Sequence, residues 1–287
     1  MRAGVRKWTE SAIKRRTNVL GLGVGEGVDY KTALRVQDTS SSAPQTRMFV
    51  AELDRVLHLQ SLLERQFVLI KSFEVNLEEL QEGKPMDRTI TLGAAELFGI
   101  RHSVYPRSIG APPVPLVMTM DFVLTEKQSD GSKVKAAWDV KPEKDLLDPR
   151  VQEKLSLHKA YCAHIGMPHY LFTEKSAPPR YAFNIDWLRC SRQKQGEVLP
   201  VSDLFTRHPR VMVAELASKQ TQMNIRQYCI DYGQRHGLKS RDALRVFKRL
   251  TWMHCVRLDL TVRDVTSLPL PAPSSIKFID RHGTNLA

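Results

Sequence analysis

The chain has 287 residues, 42% of them hydrophobic, and carries 43 Lys and Arg against 31 Asp and Glu for a formal net charge of +12. Its mean hydropathy is −0.32 and no apolar run approaches the ~18 residues needed to span a bilayer, so a soluble chain of one or two domains with a sizeable core is expected rather than a membrane protein. The basic N-terminus, Met1 to Trp8, has no apolar stretch behind it and does not read as a secretory signal. Four scattered cysteines, Cys162, Cys190, Cys229 and Cys255, form no Cys-x-x-Cys, which argues against a structural zinc or a disulfide framework and for a reducing cytoplasm. Residues 177–287 hold 18 Lys and Arg against 9 Asp and Glu, whereas the first 176 hold 25 against 22. This uneven basic balance points to a polyanionic partner, nucleic acid before all others, over a basic surface that only aids solubility.

Ser11 to Arg16 reads as a short basic helix or arm. Gly21 to Gly27 looks like a phosphate loop, but no strand precedes it and no Gly-Lys-Ser/Thr ends it, so it reads as a flexible connector lying along DNA. Asp29, Tyr30 and Ala33–Gln37 suggest the beginning of a strand, Asp38–Pro44 a loop, and Arg47–Val50 with Arg55–His58 a pair of short strands. A helix is predicted from Ser61 to Phe73, with Leu62, Phe67 and Ile70 on its apolar stripe. Ser61-x-x-Glu64 has the form of a capping box; a metal-organising acid on a first core helix is the competing role for Glu64. A strand over Phe73–Leu80, a helix over Leu92–Phe98 and a Pro-rich crossing over 106–115 follow. His102 reads as a loop histidine, with DNA contact as its alternative.

The stretch Val117–Lys141 reads as a β-hairpin: two apolar runs joined by turn formers at Asp130, Gly131 and Ser132. Residues i and i+2 share a face of a strand, so Asp139 and Lys141 point the same way and the hairpin brings Asp121 alongside them. Two carboxylates and an ammonium on one sheet edge can hold a divalent cation and a water. The pattern Asp121-x17-Asp139-x-Lys141 is similar to the signature of the PD-(D/E)xK nucleases, although Met120 stands where a proline is usual.

A helix over Pro149–Ile165 is expected to pack Leu155, Ala163, Ile165 and Tyr161, leaving Gln152, Lys154, His158 and Lys159 as polar residues, with Lys154 or Lys159 as candidates to hold a DNA phosphate and a solvated helical face as the alternative. His169–Thr173 reads as a strand closing the sheet, and Ser176–Arg180 as a domain boundary. Beyond it, helices over Val201–Ala217, Asn224–His236 and Ser240–His254, the last capped by Ser240, and a strand over Cys255–Leu260 suggest a winged-helix or helix-turn-helix module. Arg241, Arg245, Lys248 and Arg249 would line much of one side of its third helix as candidate contacts to DNA or a DNA-bound partner, with an ordinary basic surface helix as the alternative. Residues from Pro269 onward read as a loose tail. The expected fold class is therefore α/β, a restriction-endonuclease-like core over 1–176 followed by a helical winged-helix-like domain over 177–268 and a tail over 269–287.

In order and spacing the chain resembles the TnsA family, the endonuclease subunits of heteromeric cut-and-paste transposases. The resemblance is carried by Ser11–Arg16, the glycine run, Asp29–Tyr30, Val36–Gln37, Arg55–Val56, His58–Leu59 and Ser61-x-Leu63-Glu64. It continues through Gly99–His102, Thr119–Phe122, Val140–Pro142, Glu153–Leu155 and Phe172–Thr173. It covers roughly residues 10 to 175, and the rest in outline only. It implies an active site of Glu64, Asp121, Asp139 and Lys141, with Mg2+ (Mn2+ substituting) held by the three acids and the Val140 carbonyl. The third acidic position can be Gln in the family; Asp139 returns it to the general nuclease pattern. The implied activity is DNA cleavage at the 5′ ends of a transposon in a bacterial cytoplasm, at the nucleoid, with a TnsB-type transposase and a TnsC-type ATPase as partners. A stand-alone restriction or repair nuclease of the same fold, or a non-catalytic DNA-binding scaffold, are the alternatives.

Overall fold

The computed structural model describes residues 8–38, 44–106, 112–194, 196–218 and 222–286. The chain divides into two compact units, Met1–Ser176 and Ala177–Ala287. The expected Asp38–Pro44 loop and Pro106–Pro115 crossing fall partly outside the described residues.

Unit 1 is built on a four-stranded mixed sheet in the order β3 (Leu77–Pro85), β4 (Thr119–Lys127), β5 (Lys133–Val140), β6 (His169–Phe172), antiparallel except for the parallel pair β5 and β6. β4 and β5 form the predicted hairpin, with Phe122 opposite Trp138 and Val123 opposite Ala137. Neighbouring residues of a strand face opposite ways, so this register assigns the two layers of the core. On one face Phe67 of α2 (Leu62–Glu74) meets the rings of Phe122, Trp138 and Phe172 at centroid distances of 4.8, 5.4 and 5.3 Å. On the other, Val123 and Ala137 pack against Ala95 of α3 (Arg88–Leu97) and Leu157 and Cys162 of α4 (Pro149–His164). Burying a large apolar side chain such as Phe67 contributes about 1.5–3 kcal/mol, so helices on both faces account for the almost continuous burial of β4 from Phe122 to Thr125.

Local chemistry sets the ends of these helices. Ser61 caps α2 and Asp87 caps α3 through hydrogen bonds from Thr89 and Ile90. Asp148 caps α4 ahead of Pro149, whose missing N–H costs nothing at that position. Helix α1 (Glu10–Asn18) holds the basic Ser11–Arg16 stretch, and β1 (Thr46–Val50) pairs with β2 (Arg55–Leu59) as a separate antiparallel ribbon.

Several expectations need correction. The glycine run is no loose connector: Gly23 takes φ +78° and a side chain there would collide with the Pro85 ring, so the segment lies tightly against β3. Gly27–Asp29 and Val36–Asp38 form 3-10 turns, joined by bends and an isolated bridge from Lys31 to Val24, rather than a strand beginning, with Tyr30 buried and its hydroxyl donating to the Glu82 carbonyl. Strand β3 begins at Leu77 and runs past Leu80 to Pro85, because buried Gln81 and Glu82 continue it where the sequence reads as surface. On α4 the inward residues are Leu157, His158 and Cys162, while Ala163 and Ile165 are exposed.

Unit 2 contains α5 (Pro179–Arg189), α6 (Arg207–Ser218), α7 (Ile225–His236) and α8 (Ser240–Trp252), with α8 packed against the other three. Asn224 and Gln227 form a capping box on α7, and Gly237 ends that helix at φ +67°. A side chain at Gly233 would lie 2.8 Å from the Leu238 carbonyl, so a glycine there lets α8 return closely over α7. Helix α5 is absent from the sequence reading, α6 starts later than Val201, and Lys239 rather than Ser240 stands at the N-cap of α8. Cys255–Leu260 is irregular chain, not a strand, so the wing of the expected winged helix is missing there; Cys255, Val256 and Leu260 are buried by packing instead. The expected tail also packs: Leu270 donates to Met223, Lys277 to Cys255, and Ile276 and Leu286 are buried.

Candidate active site

Asp121 lies near the start of β4 and Lys141 directly follows β5. The Val140 amide donates to Asp121 Oδ2 at 2.8 Å, and the Lys141 ammonium donates to the same oxygen. Lys141 Nζ also reaches the Val140 carbonyl at 3.3 Å. Glu64 sits in the first turn of α2. Its amide donates to Ser61 Oγ at 3.1 Å while its Oε2 accepts from the Gln60 amide at 2.7 Å. Capping and proximity to the acid cluster therefore coexist at one residue.

The electrostatics join these side chains. Burial, and then the charge of Asp121, push the Glu64 carboxyl up to about 8, against the lowering effects of the Gln60 amide and Lys141. Burial disfavours the Lys141 ammonium, but Asp121, Asp139 and Glu64 outweigh it and raise its pKa. Lys141 thus stays protonated beside these acids.

Asp139 departs from the expected arrangement. It is fully buried, and its carboxylate accepts from His158 Nδ1 at 2.9 Å to each oxygen and from His169 Nε2 at 2.7 Å to Oδ2. Burial acts to raise its pKa, but the hydrogen bonds from the two histidines outweigh that and hold it well below the usual range. Among the described residues, no three His, Cys, Asp or Glu side chains form a ready metal cluster.

Residues 86–174 match the family profile described as TnsA-like endonuclease N terminal. The chain is also 34% identical over 181 residues to transposon Tn7 transposition protein TnsA of Escherichia coli. Over these residues the chain is similar to the TnsA family. That alignment covers 63% of this chain and 63% of the Escherichia coli protein, so it spans just under two thirds of that relative.

The TnsA-like profile contains Asp121, Asp139, Lys141, His158 and His169, and begins after Glu64. Glu64, Asp121 and the Val140 carbonyl offer hard oxygen donors of the kind Mg2+ takes. Burial first, and then the charge of the neighbouring Asp121, raise the Glu64 carboxyl. This donor set fits a divalent cation, with Asp139 standing apart on its histidines.

The basic residues singled out from sequence divide sharply. Lys154 and Lys159 are exposed on α4. Arg241 is exposed as well. Arg245 is engaged inside unit 2: it forms two hydrogen bonds to Glu197 at 2.6 and 2.7 Å and donates to the Ser191 and Arg192 carbonyls. Lys248 lies 4.4 Å from the Trp187 ring centroid and Arg249 5.1 Å from that of Phe205. Helix α8 is central to its unit, so most of its cations are spent on packing.

His102 is satisfied locally by Ser103 and Thr91. The residues missed are His158 and His169. His158 precedes Cys162 by four, a helical turn that places both on one face; that spacing was the available signal.

Proposed function

We propose that this chain is a metal-dependent DNA endonuclease that cleaves the 5′ ends of a transposon, built on a PD-(D/E)xK core and acting with a TnsB-type transposase and a TnsC-type ATPase. The observation that carries the reading is the meeting of Asp121, Lys141 and the Val140 backbone at the end of the hairpin, with Glu64 within their field. The transposon and the partners rest on the TnsA resemblance.

In this reading Glu64, Asp121 and the Val140 carbonyl would hold Mg2+, which would supply positive charge to offset the negative charge of the attacked phosphodiester, and activation of a water. Lys141 is the chain's own contribution at the phosphorus. Its raised pKa keeps it cationic, so it stabilises the developing negative charge and does not act as a general base. Asp121 aims that ammonium and fixes the Val140 amide. Hydrolysis leaves a 5′-phosphate and a 3′-hydroxyl. Lys154 and Lys159, exposed on α4, contact DNA phosphates, and unit 2 engages DNA or a partner through surfaces that include Arg241.

The test is the Asp121→Ala protein assembled with transposon-end DNA, transposase and ATPase. Loss of 5′-strand cleavage with DNA and partner binding retained is the expected result. Cleavage at the wild-type rate would remove Asp121 from the site. Efficient cutting of DNA by the chain alone would favour a stand-alone nuclease.

A further inference from the structure

The Asp139 carboxylate is the most deeply buried acid near the site, and among the described residues its hydrogen bonds come from two histidines on different elements. His158 reaches it from the middle of α4 and His169 from the first residue of β6. Asp139 itself stands one residue before the end of β5. One side chain therefore ties three elements together immediately before Val140 and Lys141. The backbone continues the same link, with the Lys141 amide donating to the Phe172 carbonyl at 3.0 Å.

A carboxylate that ligates a cation must offer it an oxygen. Both oxygens of Asp139 accept from His158, Oδ2 also accepts from His169, and the residue is 0% exposed. Asp121, by contrast, keeps its side chain 18% exposed beside Lys141. A buried carboxylate is held in place by the groups that hydrogen-bond it. Moving it toward a cation would leave two inward-facing imidazoles without their acceptor.

We propose that Asp139 is a positioning residue, clamped by His158 and His169, that fixes the end of β5 so that the Val140 carbonyl and the Lys141 ammonium meet Asp121. The cation is then held by Glu64, Asp121 and the Val140 carbonyl, without Asp139. This rests on the nuclease reading above and assigns a role to two histidines that reading leaves idle. His158 and His169 act through Asp139 and do not touch the cation.

The experiment uses the full chain and Mn2+ as the probe, with binding followed by calorimetry in the absence of DNA. Asp139→Asn is expected to change the Mn2+ dissociation constant less than about threefold, whereas Asp121→Asn weakens it at least about tenfold. Cleavage is then followed in the assembled reaction at saturating Mn2+. His158→Ala and His169→Ala are expected to slow it at least about tenfold, with Mn2+ affinity within about threefold of wild type. His158→Asn and His169→Gln each keep an N–H donor and are expected to restore the rate. If the alanine proteins are unstable, these donor-keeping variants and Asp139→Asn still decide the matter. Weakening of Mn2+ binding by Asp139→Asn to the level of Asp121→Asn would make Asp139 a ligand and overturn the proposal. Folded alanine variants cutting at the wild-type rate would overturn it too. A wild-type chain that binds no Mn2+ would instead sink the nuclease reading itself.

Discussion

Lys141 donates its ammonium to the same Asp121 oxygen that accepts the Val140 amide at 2.8 Å. That shared oxygen sets the direction of the lysine side chain. Truncating Lys141 to alanine removes the cation but leaves the amide bond to Asp121. The Lys141→Ala protein is expected to fold, to bind DNA, and to cut more slowly by a factor on the order of 10²–10³, the size of losing one preorganised stabiliser of transition-state charge. Single-turnover cleavage beside a thermal melt checks this; a melt shifted far downward with residual cutting in proportion to folded protein would contradict it.

Glu64 carries a pH signature for the metal-free protein. Its folded carboxyl titrates at about 8, against 4.5 for the ordinary group. The folded chain therefore binds this proton more tightly than the unfolded chain. The associated stability is fully present below pH 4.5 and is lost as pH rises toward 8, by at most about 1.4 kcal/mol per pH unit. In chelator, Glu64→Gln is expected to flatten the dependence and to melt above wild type at pH 8. Added Mg2+ should act in the same direction on wild type, since a cation replaces the proton. Melting midpoints across this range decide the matter, and parallel curves for the two proteins would refute the assignment.

The hairpin and α2 were legible because apolar runs around a turn-forming segment and a Ser-x-x-Glu cap are local signals, and the site residues Asp121, Lys141 and Glu64 sit on or beside them. The clamp on Asp139 was not, because it is made by tertiary contacts from α4 and β6 across 19 and 30 residues. His158 is polar by composition and buried by context, so a hydrophobicity count shifts the inward face of α4 toward Ala163 and Ile165. The same limit hid the second half of β3, where buried Glu82 pairs with Arg55 from β2. In unit 2 the apolar Cys255, Val256 and Leu260 read as strand by pattern but are buried with no partner strand. The density of cations on α8 suggested a surface that packing had already used.

The buried pair Arg55 and Glu82, 2.7 Å apart with side chains 8% and 2% exposed, anchors the β1–β2 ribbon to the main sheet. Arg55 also donates to the Leu80 carbonyl and lies 5.1 Å from the centroid of the Tyr30 ring. Arg55→Met leaves the Glu82 carboxyl buried without its cation and is expected to cost about 3–5 kcal/mol. Arg55→Met with Glu82→Leu should recover most of that loss, because replacing both partners removes the uncompensated charge. Urea unfolding of the two proteins tests the difference; equal destabilisation would mean the pair is not the anchor.

Cations on α4 and α8 separate binding from stability. Arg245 is held by Glu197 and two carbonyls, and its hydrogen bonds hold the Glu197 carboxyl down at about 2. Arg245→Ala is therefore expected to lower the stability of unit 2 while DNA affinity of the folded protein changes little. Lys154, Lys159 and Arg241 are exposed. Alanine at Lys154 or Lys159 is expected to leave the melting temperature unchanged and to weaken DNA binding uniformly across sequences. Each should reduce the slope of log affinity against log salt by about 1, the mark of one lost phosphate contact. Salt-dependent binding isotherms make the comparison. An unchanged slope in both lysine variants would move the DNA path off α4, and a reduced slope in Arg245→Ala would mean that its hold on Glu197 opens when DNA arrives.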